Sequence, residues 1–170
     1  MAVVNTKGTA VAAADTSPPA NGQFVGMKVH GGRIKESIGT VEAVSGDSIG
    51  STYRLARISS SDRISRVLLS CDAITTATAD IGIYETAANG GAAVDADFFA
   101  SAQVLTSALA NSDVTHESGV FDIAAIEKPL WQALGLTKDP GKLYDVVATL
   151  TAAAGAAGTV AIKVQFIDGN

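Results

Sequence analysis

The strongest constraint on the fold is a pair of alternating segments near the C-terminus. In residues 144–150 and again in 159–167, every second residue is apolar or small. A period of two is typical of a β-strand with one buried face. The stretch between the segments, T-A-A-A-G-A-A-G, is small and uncharged. We therefore predict an antiparallel hairpin whose apolar face is covered by a second sheet. The predicted inward side chains are Tyr144, Val146, Ala148, Leu150, Val160, Ile162, Val164 and Phe166.

The rest of the chain after Gly32 reads as short strands separated by turn residues. The predicted strands cover residues 33–44, 52–58, 63–71, 80–85 and 98–105, with turns at G-D-S-I-G-S, S-S-S-D and A-A-N-G-G. One short helix is predicted in E-K-P-L-W-Q-A-L-G, where Pro129 suits the first helical position and Gly135 the position after the helix. The predicted fold class is all-β, an antiparallel β-sandwich or jelly roll with this one helix.

Residues 1–30 differ from the rest and are predicted to be an extended N-terminal arm, leaving 31–170 as the sandwich domain. Pro18 and Pro19 forbid a helix and enforce extended backbone. Residues 23–29 place Val25, Met27 and Val29 on one side of a possible strand, which would lie on its own domain or on a neighbour.

Composition excludes several classes of function. The net charge is −5, and no Lys/Arg cluster is present to neutralise phosphates, so nucleic-acid binding is not expected. No apolar run approaches the roughly 20 residues of a membrane helix. Cys71 is the single cysteine, so we expect a buried free thiol, and His30 and His116 do not form a zinc site. No cofactor or metal is expected.

Two short motifs resemble the signatures of GDSL-type esterases. Ser48 lies in G-D-S-I-G-S, and Asp113 precedes His116 by three residues in D-V-T-H. In that family the serine opens a helix after a parallel strand, whereas here Gly50 and Thr52 favour a turn into a strand. We therefore interpret the first motif as a turn and the second as a polar loop, and we keep the esterase as a remote alternative. Asp95 and Asp97 form a carboxylate pair without further metal ligands, which we interpret as a solvated loop.

Three further stretches resemble the small virion structural proteins of tailed bacteriophages, in particular jelly-roll cement or decoration proteins. They are T-Y-R-L-A-R-I-S-S-S-D-R-I-S-R-V-L-L-S, A-D-I-G-I-Y-E-T and A-V-D-A-D-F-F-A-S-A, within a likeness that runs from about Gly32 to Phe166. The resemblance implies a non-enzymatic protein on the exterior of the virion capsid, made in the host cytoplasm. It implies the major capsid protein and other copies of itself, as homodimer or homotrimer, as partners. It carries no catalytic residue to this chain.

Within this interpretation the arm is the expected capsid or subunit interface. Its candidate contact residues are Pro18, Pro19, Phe24, Val25 and Met27. An extended segment of this kind orders on binding or adds a strand to the edge of a sheet. The alternative is a different binding protein with the same fold, a head-fibre module or a receptor- or carbohydrate-binding module.

Overall fold

The computed structural model describes Thr6 and residues 32–168. The chain divides into two units, Met1–Arg33 and Ile34–Asn170, and the elements below belong to the second. The predicted arm, including the possible strand at 23–29, lies outside the described residues apart from Thr6, so its extended form stays a prediction.

Eight β-strands and one short helix make up the described domain. The strands are β1 (Ile34–Ala43), β2 (Thr52–Ser59), β3 (Arg63–Cys71), β4 (Thr78–Glu85), β5 (Ala93–Val104), β6 (Leu109–Asp113), β7 (Leu143–Ala152) and β8 (Gly158–Ile167). The helix α1 covers Leu130–Ala133, and two 3-10 turns lie at Ala87–Asn89 and Ile123–Ala125. All the strands predicted within the described residues are present, which confirms the all-β expectation.

The strands form two antiparallel four-stranded sheets in the orders β1-β8-β3-β6 and β2-β7-β4-β5. Most consecutive strands therefore lie in opposite sheets, which is the topology of a jelly roll. The predicted jelly roll is confirmed. We refer below to the first sheet as the β8 sheet and to the second as the β7 sheet.

The predicted C-terminal hairpin is wrong. β7 pairs with β2 and β4, and β8 pairs with β1 and β3, so the two strands lie in different sheets. Their apolar faces meet each other across the core, and Tyr144, Val146, Leu150, Ile162 and Val164 are all buried. Alternation fixes which face of a strand is buried, but it does not fix which strand is the hydrogen-bonded neighbour. The small residues between the strands cross from one sheet to the other.

The connections gather at two opposite ends of the sandwich. At the β7–β8 end, the β1–β2, β3–β4 and β7–β8 connections are hydrogen-bonded together through Gly46 N to Ala154 O and Gly155 N to Thr75 O. At the β6–β7 end, the β2–β3 turn bonds to the long β6–β7 connection, through Ser60 N to Lys142 O and Leu130 N to Asp62 O. A strand of eight residues such as β2 separates these ends by about 26 Å.

Helix α1 lies at the β6–β7 end and closes the core there. Leu130 is fully buried, and Leu134 packs against the core at the end of the helix. Gly135 has φ +75°, as expected for the residue after a helix. The helix begins one residue later than predicted, because Pro129 has extended backbone and is the N-cap.

Candidate functional site

The two halves of the esterase-like pattern lie at opposite ends of the sandwich. Ser48 is in the β1–β2 connection at the β7–β8 end, and His116 follows β6 at the β6–β7 end. A nucleophile and its base must lie within hydrogen-bonding distance of each other. The jelly-roll topology instead keeps these two side chains apart by about the length of a strand. The structure does not assemble the Ser48–His116 site.

The G-D-S-I-G-S stretch is a turn, as predicted. Gly46 and Gly50 have φ values of +98° and +87°, and the Ser51 N–H bonds to the Ser48 carbonyl. Asp47 Oδ2 accepts hydrogen bonds from the Tyr53 hydroxyl at 2.7 Å and the Val44 N–H at 3.0 Å. The hydrogen bond from Tyr53, followed by that from Val44, lowers the pKa of the Asp47 carboxyl. Asp47 therefore organises the turn.

The D-V-T-H stretch is likewise structural. Asp113 Oδ1 accepts hydrogen bonds from the Thr115 hydroxyl and N–H, and its other oxygen lies 3.8 Å from Arg66 Nε. The His116 ring stacks on Phe121, with centroids 5.3 Å apart, and its Nδ1 lies 2.7 Å from the Phe121 carbonyl oxygen. The carboxylate thus does not orient the imidazole. Both side chains instead stabilise the loop that follows β6.

Asp95 and Asp97 form a carboxylate pair rather than a freely solvated loop. Both are half-buried in β5, and neither forms an ion pair with a described residue. Burial raises the pKa of the Asp95 carboxyl, and a hydrogen bond to Asp97 and its negative charge raise it further. Among the described residues no cluster of three or more His, Cys, Asp and Glu side chains is placed to hold a metal ion.

Cys71 is a buried free thiol, as predicted. Burial raises the pKa of this thiol, which keeps it protonated and unreactive. In the described part of the chain, no helix has the length and apolar character that crossing a bilayer requires.

The most constrained polar cluster was not predicted: Asp145, on the outer face of the β7 sheet, is held between two arginines. Arg57 Nε bonds to Oδ1 at 2.7 Å, and Arg57 Nη2 and Arg54 Nη1 bond to Oδ2 at 3.2 and 3.0 Å. The Asp145 side chain is only 4% exposed. Burial raises its pKa, but the hydrogen bonds from Arg57 and Arg54 outweigh burial and hold the pKa below its ordinary value.

Arg54 also ties the β4–β5 turn to the sheet. Its Nη1 and Nη2 donate to the carbonyls of Glu85 at 2.8 Å and Gly91 at 2.6 Å. The guanidinium lies 5.6 Å from the centre of the Tyr84 ring. The Tyr84 hydroxyl in turn bonds to the Thr149 hydroxyl at 2.7 Å, so the ring spans the outer face of β7. These contacts bury the outer face of β7.

A second ion pair lies beside this cluster. Lys142 Nζ bonds to Glu85 Oε1 at 2.5 Å and lies 5.2 Å from the centre of the Tyr144 ring. The hydrogen bond that Lys142 donates to Glu85 raises the pKa of Lys142, and Glu85 Oε2 is buried without a hydrogen-bond partner.

An open groove of about 310 Å³ runs between the edge strands β1 and β2. The two edges approach closely here: Arg57 N bonds to the Ser37 hydroxyl, and a Cβ on Gly39 would lie 1.7 Å from the Leu55 carbonyl oxygen. The groove is lined by Ser37, Ile38, Arg54, Leu55, Ala56 and Arg57. Ile38 is 59% exposed, and the Arg57 side chain is 55% exposed. The groove thus offers an apolar side chain next to cationic groups.

The sequence did contain a signal for the arginine cluster. Asp145 stands between the inward residues Tyr144 and Val146, so the alternation places it on the outward face of its strand. A cross-strand ion pair forms when an acid on a central strand lies beside arginines on the neighbouring edge strand. That signal is readable only when β2 is known to pair with β7.

Exposed apolar side chains are concentrated at the β6–β7 end. The β6–β7 connection presents Val120, Ile123, Ile126 and Leu136, and the strand starts add Ile34, Val94 and Leu143. The opposite end presents Val44, Ile49 and Val104. Exposed apolar side chains gathered at one end of a domain are a candidate interaction surface. The predicted interface residues Pro18, Pro19, Phe24, Val25 and Met27 lie outside the described residues, so their role stays a prediction.

Comparison by structure finds this fold in a phage capsid. The chain is similar to a chain in the capsid of Ralstonia phage GP4, with a TM-score of 0.58 and 12% identity over 82% of this chain and 86% of that one. A chain in the cyanophage Pam1 capsid asymmetric unit gives a TM-score of 0.48 and 15% identity over 80% and 85%. By sequence the chain matches no protein-family model and no curated protein. The likeness to the phage GP4 chain confirms the fold that the phage resemblance implied.

Proposed function

We propose that this protein is a non-enzymatic virion structural protein, a cement or decoration protein that binds the outer surface of a phage capsid. The observation that carries the proposal is the likeness of the whole jelly roll to a chain in the capsid of Ralstonia phage GP4, over more than four-fifths of both chains. The three sequence stretches that resemble decoration proteins point to the same class.

The physical role is to bridge neighbouring capsomers against internal pressure. Each contact is modest, and the stabilisation comes from many copies acting on a closed lattice. A rigid sandwich suits this role. Side chains on its outer face hold the connections in place, as Arg54 does by hydrogen bonding to the β4–β5 turn.

We place the capsid contact at the β6–β7 end, on the exposed apolar side chains of the β6–β7 connection. This end carries most of the exposed large apolar side chains among the described residues, and Ile123 is 77% exposed. β1 also begins here, because Ile34 pairs with Ile167 at the end of β8. The arm residues Pro18, Pro19, Phe24, Val25 and Met27 are proposed as a further capsid contact.

Purified virions test the function directly. A cement role predicts a copy number comparable with that of the major capsid protein, and regular lattice positions in electron microscopy of filled heads. A few copies per virion would contradict it and favour the head-fibre or receptor-binding alternative.

Matched variants test the placement. Ile123→Ser should weaken binding to capsids that lack the protein by about tenfold, because a large apolar side chain loses its burial. Ile49→Ser is the control, since Ile49 is 69% exposed at the opposite end. Deleting residues 1–28 should leave the sandwich folded and reduce capsid occupancy. Equal occupancy of all variants would refute both contacts.

A further inference from the structure

The groove between β1 and β2 has an excess of positive charge. Arg54 and Arg57 share the single carboxylate of Asp145, so the three groups carry a net charge of +1. The Arg57 hydrogen bonds use Nε and Nη2, which leaves Nη1 available at the surface. In a chain with net charge −5, this is a local cationic site.

The opposite edge of the same sheet has an excess of negative charge. β2 and β5 are the two edge strands of the β7 sheet. The half-buried carboxylates of Asp95 and Asp97 repel each other, and no described cation neutralises them. Val94, directly before them, is 42% exposed. The two edges are therefore complementary: arginines beside an exposed isoleucine, and aspartates beside an exposed valine.

We propose that the β1–β2 groove of one copy binds the Val94–Asp97 segment of a second copy, with Asp97 meeting the Arg57 guanidinium at Nη1, and Val94 packing on Ile38. One copy cannot make this contact with itself, because the two edges are separated by the width of a four-stranded sheet, about 14 Å. A two-fold contact of groove with groove would place arginines against arginines. The charges thus favour a contact in which the groove of one copy meets the β5 edge of the next copy. The same contact can then repeat from copy to copy.

This contact deepens the proposed cement role, because it specifies how copies of the protein join one another. It is tested on the isolated full-length protein, so its failure is distinct from failure to occupy capsids.

Cysteine cross-linking tests the geometry. In a Cys71→Ser background, the pair Ile38→Cys and Val94→Cys should give disulfide-linked multimers under mild oxidation. The control pair is Ile38→Cys with Val104→Cys, because Val104 is 51% exposed at the far end of the same strand β5. Multimers with the first pair and not with the control support the proposal. Dimers of the Ile38→Cys single variant, or no multimers from the first pair, overturn it.

Sedimentation tests the charges. Asp97→Asn should weaken self-association about fivefold and leave a folded monomer, and high salt should act in the same direction. Glu36→Gln is the control, since it removes one negative charge from the β8 sheet, where Glu36 bonds to Gln165. Equal association of Asp97→Asn and wild type, or a monomer at every concentration of wild type, overturns the proposal.

Discussion

Asp145 and Asp95 are acids of the same sheet with opposite surroundings. Asp145 lies on the central strand β7 with two arginines on its oxygens, and its pKa is lowered. Asp95 lies on the edge strand β5 beside a second carboxylate, and its pKa is raised. A buried acid on a central strand is tolerated only with its partners supplied by the fold. An edge strand tolerates an unneutralised pair, because the edge is open to water and to a partner.

Gly82→Ala should have the largest effect, because it displaces the segment that holds Asp95. A Cβ on Gly82 would lie 2.2 Å from the Asp95 carbonyl oxygen and 2.3 Å from the Ala96 carbonyl carbon. We expect a loss of about 3 kcal/mol in the free energy of unfolding, measured by denaturant titration. Gly90→Ala is the control: Gly90 has φ +96° and open space around it, so only backbone strain of about 1 kcal/mol is expected. Equal losses would contradict the close approach of β5 to β4.

Asp145→Asn should cause the next largest loss in the free energy of unfolding. The amide keeps the shape but leaves Arg54 and Arg57 without their shared negative charge, at a cost of about 2 kcal/mol. The effect also depends on pH. Because the folded-state pKa of Asp145 is lowered, its contribution is present above the unfolded pKa of about 3.9 and is lost as pH falls through the folded value.

Denaturant titrations of wild type and Asp145→Asn across pH 2–7 measure this dependence. The difference in stability between the two proteins should be largest near neutral pH and should shrink in acid. A difference that does not vary with pH would mean that the charge of Asp145 is not stabilising.

Asp97→Asn should have a smaller effect of the opposite sign. Because the folded-state pKa of Asp95 is raised, its contribution to stability is present below the unfolded pKa and is lost as pH rises through the folded value. Removing the neighbouring charge should therefore stabilise the monomer above about pH 4, by about 0.5 kcal/mol. Thermal unfolding at pH 3 and pH 7 measures this gain, which should appear only at pH 7. Destabilisation at pH 7 would contradict the net repulsion between the two carboxylates.

The comparison also shows which parts of the molecule the sequence could predict. The alternation of apolar residues identified the strands and their buried faces. Tyr144 and Val146 face inward because a period of two along the sequence is a local property. Strand pairing is not local, so β7 and β8 were joined as a hairpin although they face each other across the core. For the same reason the pairing of Asp145 with Arg54 and Arg57 from β2 was not predicted.

Turn chemistry was more predictable than the polar cluster. The glycines at 46 and 50 indicated a turn, and the turn is present because positive φ is a property of single residues. The consecutive Phe98 and Phe99 do not alternate, yet both are buried, because residues that follow β6 bond back to their carbonyls through Ser118 and Phe121. The segment that covers these phenylalanines belongs to a distant part of the chain, so no local sequence pattern reveals it.

Tyr53→Phe should have the smallest effect on the protein. It brings a third acid, Asp47, into the comparison. Asp47 is exposed, and the Tyr53 hydroxyl at 2.7 Å is the main cause of its lowered pKa. Without that hydroxyl, the pKa of Asp47 should rise toward its ordinary value while the Val44 N–H continues to lower it. Titration of the Asp47 carboxyl by NMR measures the change, with Tyr84→Phe as the control because its hydroxyl bonds to Thr149 instead. An unchanged Asp47 pKa in Tyr53→Phe would mean that the backbone of the turn alone sets it. The turn would then owe its shape to Gly46 and Gly50 rather than to the bond between Asp47 and β2.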